Sequence, residues 1–468
     1  MTDEKKSFEE NVRDNNGKDW FQILVIITGS ISMLNSGLSY YWTSPFIPKI
    51  VAEKEKYNIT EEQASYFAVC NLVTLTIGSL FFTPIVQWLG RKKSLLLSSI
   101  PYFLCWLIKA FATNLWLLYG ARLLSGLGDA IVSSHGFVYV GEVASPKIRN
   151  IWGNVPMCFM FLGQLGINVL GLYFNIQTTS YICISVLILF TITFPFMPET
   201  PYFYINRGQY EEAKITLRKL RRKQNIDEEF EQIRMSITKQ QEKTSSSWID
   251  LITVVAHRRA LVAAVFLRFS QIFSGLFVFG SYTQFIFQKV GTNMSPEYST
   301  IIYTAVNFVL YTFGAYFSSK LGRRKSLIYS LVLCGFNVLA ESIFFFVESN
   351  FPDLDLSSVQ LFPLVGMLLF LVFSCFGVGL VPPLMLTELF SSNIAAEGCA
   401  IVAVSFGLLS VAANSIFYYL ISYTGLAGPF LLFAICNFAS AIVTYYIIPE
   451  TRNKTLAEIQ QTLISGIN

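Results

Sequence analysis

Of the 468 residues, 53% are hydrophobic and 15% aromatic, while only 14% are charged, roughly half the charged fraction of a soluble chain. With a mean hydropathy of +0.50, this composition excludes a soluble globular protein, which could not cover so much apolar surface. The net charge of +4 carries no nucleic-acid signal, because its placement along the chain has a membrane explanation.

Residues 1–19 are polar and lack the short apolar core of a secretory signal; the first apolar run, Phe21 to Tyr41, is expected to act as an uncleaved signal anchor. Twelve apolar runs follow one another near 21–47, 64–87, 95–113, 115–141, 152–175, 179–197, 259–288, 298–319, 326–348, 361–387, 396–422 and 426–448. A spanning helix needs about 20 such residues, so these are read as spans 1 to 12. The interval 198–258 is polar, and within it 207–243 reads as short amphipathic helices, with a solvated linker and a gating element both open as its role. The predicted organisation is a cytoplasmic tail (1–19), a six-helix bundle (20–197), a cytoplasmic helical linker (198–258), a second bundle (259–450) and a cytoplasmic tail (451–468).

Lysine and arginine fix the expected orientation. With the N-terminus inside, the outer loops hold only Lys49, Lys54, Lys56 and Lys289 of the 34 basic residues. Both termini are therefore expected in the cytoplasm of a multi-pass cell-membrane protein. Asn58 and Asn293 then fall outside in Asn-x-Ser/Thr sequences, as candidate glycosylation sites. All eight cysteines sit inside apolar runs without a C-x-x-C, and the two histidines, His135 and His257, are too few for a metal centre. No metal, cofactor, catalytic residue or nucleic-acid partner is expected, and no phosphate-binding G-x-x-x-x-G-K-[ST] loop is present. The expected partners are a small solute and the bilayer, a monomer sufficing for transport.

The chain repeats itself. Trp88-Leu-Gly-Arg-Lys-Lys-Ser-Leu recurs as Lys320-Leu-Gly-Arg-Arg-Lys-Ser-Leu; Glu142 ending span 4 has its counterpart in Glu388 ending span 10; Pro198-Glu-Thr recurs as Pro449-Glu-Thr. Three matched pairs in one order predict an all-α membrane protein of twelve transmembrane helices in two pseudo-symmetric six-helix bundles, with a binding site between the halves near the midplane.

These motifs resemble the sugar-porter family of the major facilitator superfamily over the whole chain. Gly90-Arg-Lys-Lys and Gly322-Arg-Arg-Lys are similar to its D-R-x-G-R-R loops, Tyr139-Val-Gly-Glu-Val with Pro146-Lys-Ile-Arg149 to its span 4 exit, and Pro449-Glu-Thr-Arg-Asn-Lys-Thr-Leu-Ala-Glu-Ile to P-E-T-K-G-K-T-L-E-E-I. Trp42-Thr-Ser-Pro-Phe-Ile-Pro and the Tyr202 ending are most similar to the insect facilitated trehalose transporter branch. The resemblance implies facilitative transport of trehalose or a hexose by alternating access, with no enzymatic chemistry. It is departed from at Gln87-Trp88, Ser319-Lys320 and Ala395, where gate residues of the family are replaced. On this reading Arg91, Glu142, Arg149 and Glu199, and likewise Arg323, Arg324, Glu388 and Glu450, form cytoplasmic charge pairs that hold the two bundles closed and release them.

A sugar needs neutral donors and acceptors beside apolar surface. On span 7, Gln271, Ser274, Gly275, Val278 and Tyr282 share one face by helical spacing; the family's Q-Q-x-S-G-I-N stands here as Gln271-Ile-Phe-Ser-Gly-Leu-Phe277. Span 8 offers Tyr303, Asn307 and Tyr311, and span 5 offers Gln164 and Asn168; the resemblance implies sugar contact for Asn307 and Gln164. Interhelical hydrogen bonding is the competing role for these amides. Pro382, Pro383 and Gly379 predict a hinge or a static kink in span 10. Span 1 has no acid, so Asp129 in span 4 is the candidate proton site, with Arg122 as its expected partner; a structural pair, and hence uniport, is the favoured reading. A proton-coupled sugar symporter, a porter of another small solute and a non-transporting sugar sensor are the alternatives.

Overall fold

The protein is represented by a computed structural model that describes residues 19–53, 59–243, 250–290, 294–318, 322–351, 353–354, 359–390, 394–452, 458–459 and 461–462. The candidate glycosylation sites Asn58 and Asn293 lie outside the described residues.

Every expected span has its helix. Ten stretches are long and apolar enough to cross a membrane: Trp20–Ala52, Arg91–Phe111, Leu115–Val143, Val155–Tyr173, Ile176–Phe196, Val255–Val290, Arg323–Asn350, Phe362–Leu386, Glu397–Thr424 and Ala427–Ile447. Glu61–Leu89 and Pro296–Ser318 supply spans 2 and 8. No strand occurs among the described residues. This follows from the solvent: in lipid each backbone polar group must find its partner within the segment, which a helix achieves alone. Serine and threonine hydroxyls fold back the same way, as Thr28 does on the Leu24 carbonyl and Thr283 on that of Phe279. The cysteines are free thiols.

Four spans are interrupted. Span 1 breaks between Tyr40 and Thr43, span 3 at Ser98, span 7 between Ile272 and Leu276, and span 10 between Phe376 and Val381. In span 7 the break is built by Ser274 and Gly275. Gly275 takes a φ of +97°, which a side chain would disfavour. The Ser274 hydroxyl donates to the Gln271 carbonyl at 2.7 Å and accepts the Leu276 N–H at 3.3 Å. In span 10, Pro382 and Pro383 open the second segment, Val381–Leu389. A missing N–H costs least in a first turn, so the interruption itself lies upstream, at Gly377–Leu380.

The linker forms helices Pro201–Asn206, Tyr210–Arg221, Asp227–Lys243 and Asp250–Thr253. An apolar cluster including Leu217, Phe230 and Ile233 joins the first three. Arg221 fixes this unit to the first half: it donates to the Gln22 amide at 2.9 Å and the Val143 carbonyl at 2.8 Å, and pairs with Glu229 at 2.8 Å. Lys147 meets Asp19 at 3.2 Å. The start of span 1, the end of span 4 and the linker thus share one face, called here the terminal face.

On that face the sequence repeat becomes a structural one. Glu199 accepts the Lys92 N–H at 3.1 Å and the Thr200 N–H at 3.0 Å. Thr200 donates its hydroxyl to Glu142 at 2.6 Å, and Arg91 donates to the other oxygen of Glu142 at 3.0 Å. In the second half Glu450 accepts the N–H groups of Arg323 at 2.9 Å and Arg324 at 3.2 Å. Thr451 donates to Glu388 at 2.5 Å, and Arg323 lies 3.7 Å from Glu388. The carboxylate of each Pro-Glu-Thr therefore caps the helix that follows the glycine, where an anion is favoured. Gly90 and Gly322 take φ values of +97° and +83°, and a Cβ on Gly90 would lie 2.5 Å from Glu199 Oε2. Burial pushes the Glu199 carboxyl above its ordinary range, opposed by the Thr200 and Lys92 N–H groups and by Arg91.

This corrects the expected gate. Each clamp joins helices of its own half, and among the described residues no ion pair joins one half to the other. The reason is reach: the glutamates turn to the backbone donors and the threonine beside them. Arg149 is exposed on the end of the helix Pro146–Trp152 and takes no part. Arg324 directs its side chain to the Tyr445 carbonyl and lies over the Tyr445 ring.

Candidate functional site

The halves meet through spans 1 and 7, 5 and 8, and 2 and 11. Near the face opposite the termini, Thr43 donates to the Ser281 carbonyl at 3.3 Å. Gly280 leaves room there for Tyr41 and Gln164, whose atoms a Cβ would approach at 3.0 and 3.4 Å. Deeper in, the Phe161 and Tyr311 rings pack with centroids 4.3 Å apart, and Asn154 donates to the Tyr311 carbonyl at 2.9 Å. Gly407 of span 11 packs against Thr76 of span 2.

At the centre of this seam lies an amide pair. Asn307 Nδ2 donates to Gln164 Oε1 at 2.8 Å, both side chains being buried. The bond uses one end of each amide. Gln164 Nε2 and Asn307 Oδ1 are left buried without a partner. A buried orphan donor or acceptor is costly and asks for an explanation; here one donor and one acceptor of opposite halves stand unused beside each other's bonded atoms. Tyr311 Oη, Asn35 Oδ1 and Asn414 Oδ1 are further buried atoms without partners.

The other expected site residues are placed differently. Gln271 is fully engaged: it accepts from Arg268 Nη1 at 2.8 Å and donates to the Gly379 carbonyl, exposed by the break in span 10, at 3.2 Å. Asn168 accepts from the Ser44 hydroxyl at 3.0 Å and donates to the Gln164 carbonyl at 2.8 Å, so it ties span 5 to the second segment of span 1. Ser274 is consumed in the span 7 break. Tyr282 sits at a further non-helical position, buried with its ring 5.2 Å from that of Phe417. The single helical face expected on span 7 is therefore not continuous: the break at Gly275 ends the 3.6-residue period that placed Gln271 and Tyr282 in line.

Asp129 is held without a cation. It accepts from Ser36 and Tyr102, each at 2.6 Å, and from Asn71 at 2.9 Å. The expected pairing with Arg122 is corrected: Arg122 donates to the Phe67 carbonyl at 2.9 Å and the Ser39 carbonyl at 2.6 Å instead. The carbonyl of Ser39 lies next to the break in span 1, which makes it available to Arg122. Lys109, also buried, places its ammonium 4.4 Å from the Trp42 ring centre and 4.1 Å from that of Trp106, an arrangement that substitutes ring faces for a counter-ion. In the second half Glu341 is buried with both oxygens unpartnered. Sequence reasoning passed over Asn35, Asn414 and Arg268; the available signal was an amide or guanidinium inside an otherwise apolar run. Among the described residues no three His, Cys, Asp or Glu side chains group as metal ligands would.

Comparison with known proteins fits this geometry. The sequence model of the family described as "Sugar (and other) transporter" matches residues 23–463. The facilitated trehalose transporter Tret1 of Polypedilum vanderplanki is 27% identical over 95% of this chain and 88% of its own. That of Bombyx mori is 25% identical over 96% and 88%. Among solved structures, the xylose transporter XylE from E. coli in a partially occluded inward-open conformation superposes with a TM-score of 0.77 at 18% identity, covering 93% of this chain and 99% of that one. The same proton:xylose symporter bound to 6-bromo-6-deoxy-D-glucose gives 0.75 at 18%, covering 94% and 99%. These likenesses show the fold of two six-helix bundles.

Proposed function

This chain belongs to the sugar (and other) transporter family, and from that premise we propose that it is a facilitative carrier of an uncharged sugar, trehalose or a hexose, working by alternating access across the cell membrane with both termini in the cytoplasm. The observation that carries the reading is the Gln164–Asn307 bond. It joins the halves at mid-depth through neutral groups and leaves one donor and one acceptor open. A sugar hydroxyl is both donor and acceptor, so it can complete both amides or replace the bond between them. Either event changes what holds the halves together, as alternating access requires. The halves meet at Thr43 and Ser281 on one face, while on the terminal face the clamps stay within each half and no ion pair joins the halves among the described residues. That arrangement supports opening toward the termini, with Gly377–Leu380 and Gly275 as the points where spans 10 and 7 bend. Asn58 and Asn293 would then carry glycans outside.

Uniport is favoured because Asp129 is already met by three neutral donors and so needs neither a proton nor a cation in place. The test is radiolabelled uptake into proteoliposomes with trehalose, glucose and fructose, with and without an imposed pH gradient. Saturable uptake of at least one, down its gradient and indifferent to pH difference, is expected. Uptake driven uphill by a pH gradient would establish the symporter. Binding without uptake would establish the sensor, and failure of all three sugars to bind or move would remove the sugar reading.

A further inference from the structure

Two arginines lie inside the bundle, and their surroundings differ. Arg122 gives two of its nitrogens to carbonyl oxygens and stands two turns of span 4 from Asp129. Arg268, on span 7, has one hydrogen bond: Nη1 donates to the Gln271 side chain at 2.8 Å. Its Nε is buried and without an acceptor. Its guanidinium lies 5.2 Å from the centre of the Phe406 ring, on span 11. Among the described residues no carboxylate lies within ion-pairing distance. The titratable group that acts on it is the exposed Cys399 thiol, neutral at ordinary pH.

A guanidinium is always protonated and carries five donors in a planar fork suited to a carboxylate. An unmatched charge at membrane depth is expensive and marks a pathway or ligand site, with the missing partner supplied from elsewhere. Gln271 alone does not neutralise it, and Gln271 is itself tied to the broken part of span 10 through Gly379. We propose that Arg268 is an anion-recognition residue of the central site and that the carrier accepts sugar acids, polyhydroxylated solutes that end in a carboxylate. This rests on the carrier reading above and narrows its solute class: the hydroxyls meet the Gln164–Asn307 amides, and the carboxylate takes the open donors of Arg268.

The test uses the full-length protein in proteoliposomes with labelled D-glucuronate and D-glucose. Saturable glucuronate uptake, inhibited by the neutral sugar the protein transports, is expected. Arg268→Gln is expected to lower the glucuronate-to-glucose ratio of kcat/KM about tenfold or more, as loss of a charge-assisted bond does, while Arg268→Lys keeps a larger share of it. A second measurement needs no variant: glucuronate should slow alkylation of Cys399 by N-ethylmaleimide several-fold relative to glucose at equal saturation. Neutral sugar uptake with neither glucuronate uptake nor competition would overturn this inference and leave the carrier standing. An unchanged ratio in Arg268→Gln, or equal alkylation rates, would also overturn it. Failure of glucuronate and of trehalose, glucose and fructose alike to bind or move would overturn the two readings together.

Discussion

The two halves carry the same clamp on the terminal face and opposite solutions to buried charge in the middle. In the first half Asp129 is met by three donors and Arg122 by two carbonyls, while the Lys109 ammonium has no hydrogen-bond partner and lies over two indole rings. In the second, Glu341 has no partner on either oxygen, and Arg268 has one amide and the Phe406 ring, with its Nε open. Both halves contain interrupted spans, 1 and 3 in the first and 7 and 10 in the second. Repetition at the terminal face therefore marks what each bundle needs to hold its own helices. The departures from symmetry at mid-depth mark where one bundle recognises and moves. The buried carboxylate and the guanidinium Nε left without partners both belong to the second half.

The sharpest way to break this comparison is to remove the two buried acids in turn. Asp129→Ala removes the acceptor of the Ser36 and Tyr102 hydroxyls and of one N–H of Asn71, whose amide keeps its bond to Ser125, and is expected to destabilise the protein by roughly 3 kcal/mol or more. Glu341→Gln removes no bond and is expected to change stability by less than about 1 kcal/mol in either direction. Thermal melting in detergent measures both, and equal losses would contradict the division. Next come the clamp glycines. Gly90→Ala and Gly322→Ala each force a side chain into an unfavourable backbone region, at about 1–3 kcal/mol. The first should cost more, because its Cβ would meet Glu199 Oε2 at 2.5 Å against 3.1 Å from Glu450 Oε2 at Gly322. The smallest effect is in the ion pairs. Arg91→Ala should cost about 1 kcal/mol and Arg323→Ala less, since Arg91 and Glu142 are 3.0 Å apart and better shielded from solvent while Arg323 and Glu388 are 3.7 Å apart, and partly exposed pairs contribute little. The reverse order would mean the second clamp is the stronger one.

The fold was legible because its signals are long. Twelve apolar runs, the placement of lysine and arginine, and three motifs that each recur once do not depend on single contacts. Even the linker helices could be seen in the alternation of Gln209–Lys223. The site was legible as a set of amides and illegible as a geometry. Gln164 and Asn307 were expected near the solute, but only their positions across the seam show that they bond to each other. Ser274 and Tyr282 followed from a helical period that Gly275 interrupts, and a glycine in an apolar run does not announce whether it bends a helix or packs it. Asp129 and Arg122 are two turns apart, a spacing that invites pairing; the carbonyls of Ser39, beside the break in span 1, and of Phe67 take Arg122 instead. The gate charges failed for a related reason. Sequence places Glu199 and Glu450 at helix ends but gives no sign that each turns back to cap a helix in its own half.

The central claim is that the Gln164–Asn307 bond across the halves is the element a solute acts on. A double-mutant cycle on solute affinity, using Gln164→Ala, Asn307→Ala and the double variant in proteoliposome uptake, tests it most directly. Each single change is expected to weaken binding and the double change to cost less than the sum, with a coupling of about 1 kcal/mol or more, a factor of about five. Additive losses, or single variants that transport as the unmodified protein does, would contradict it.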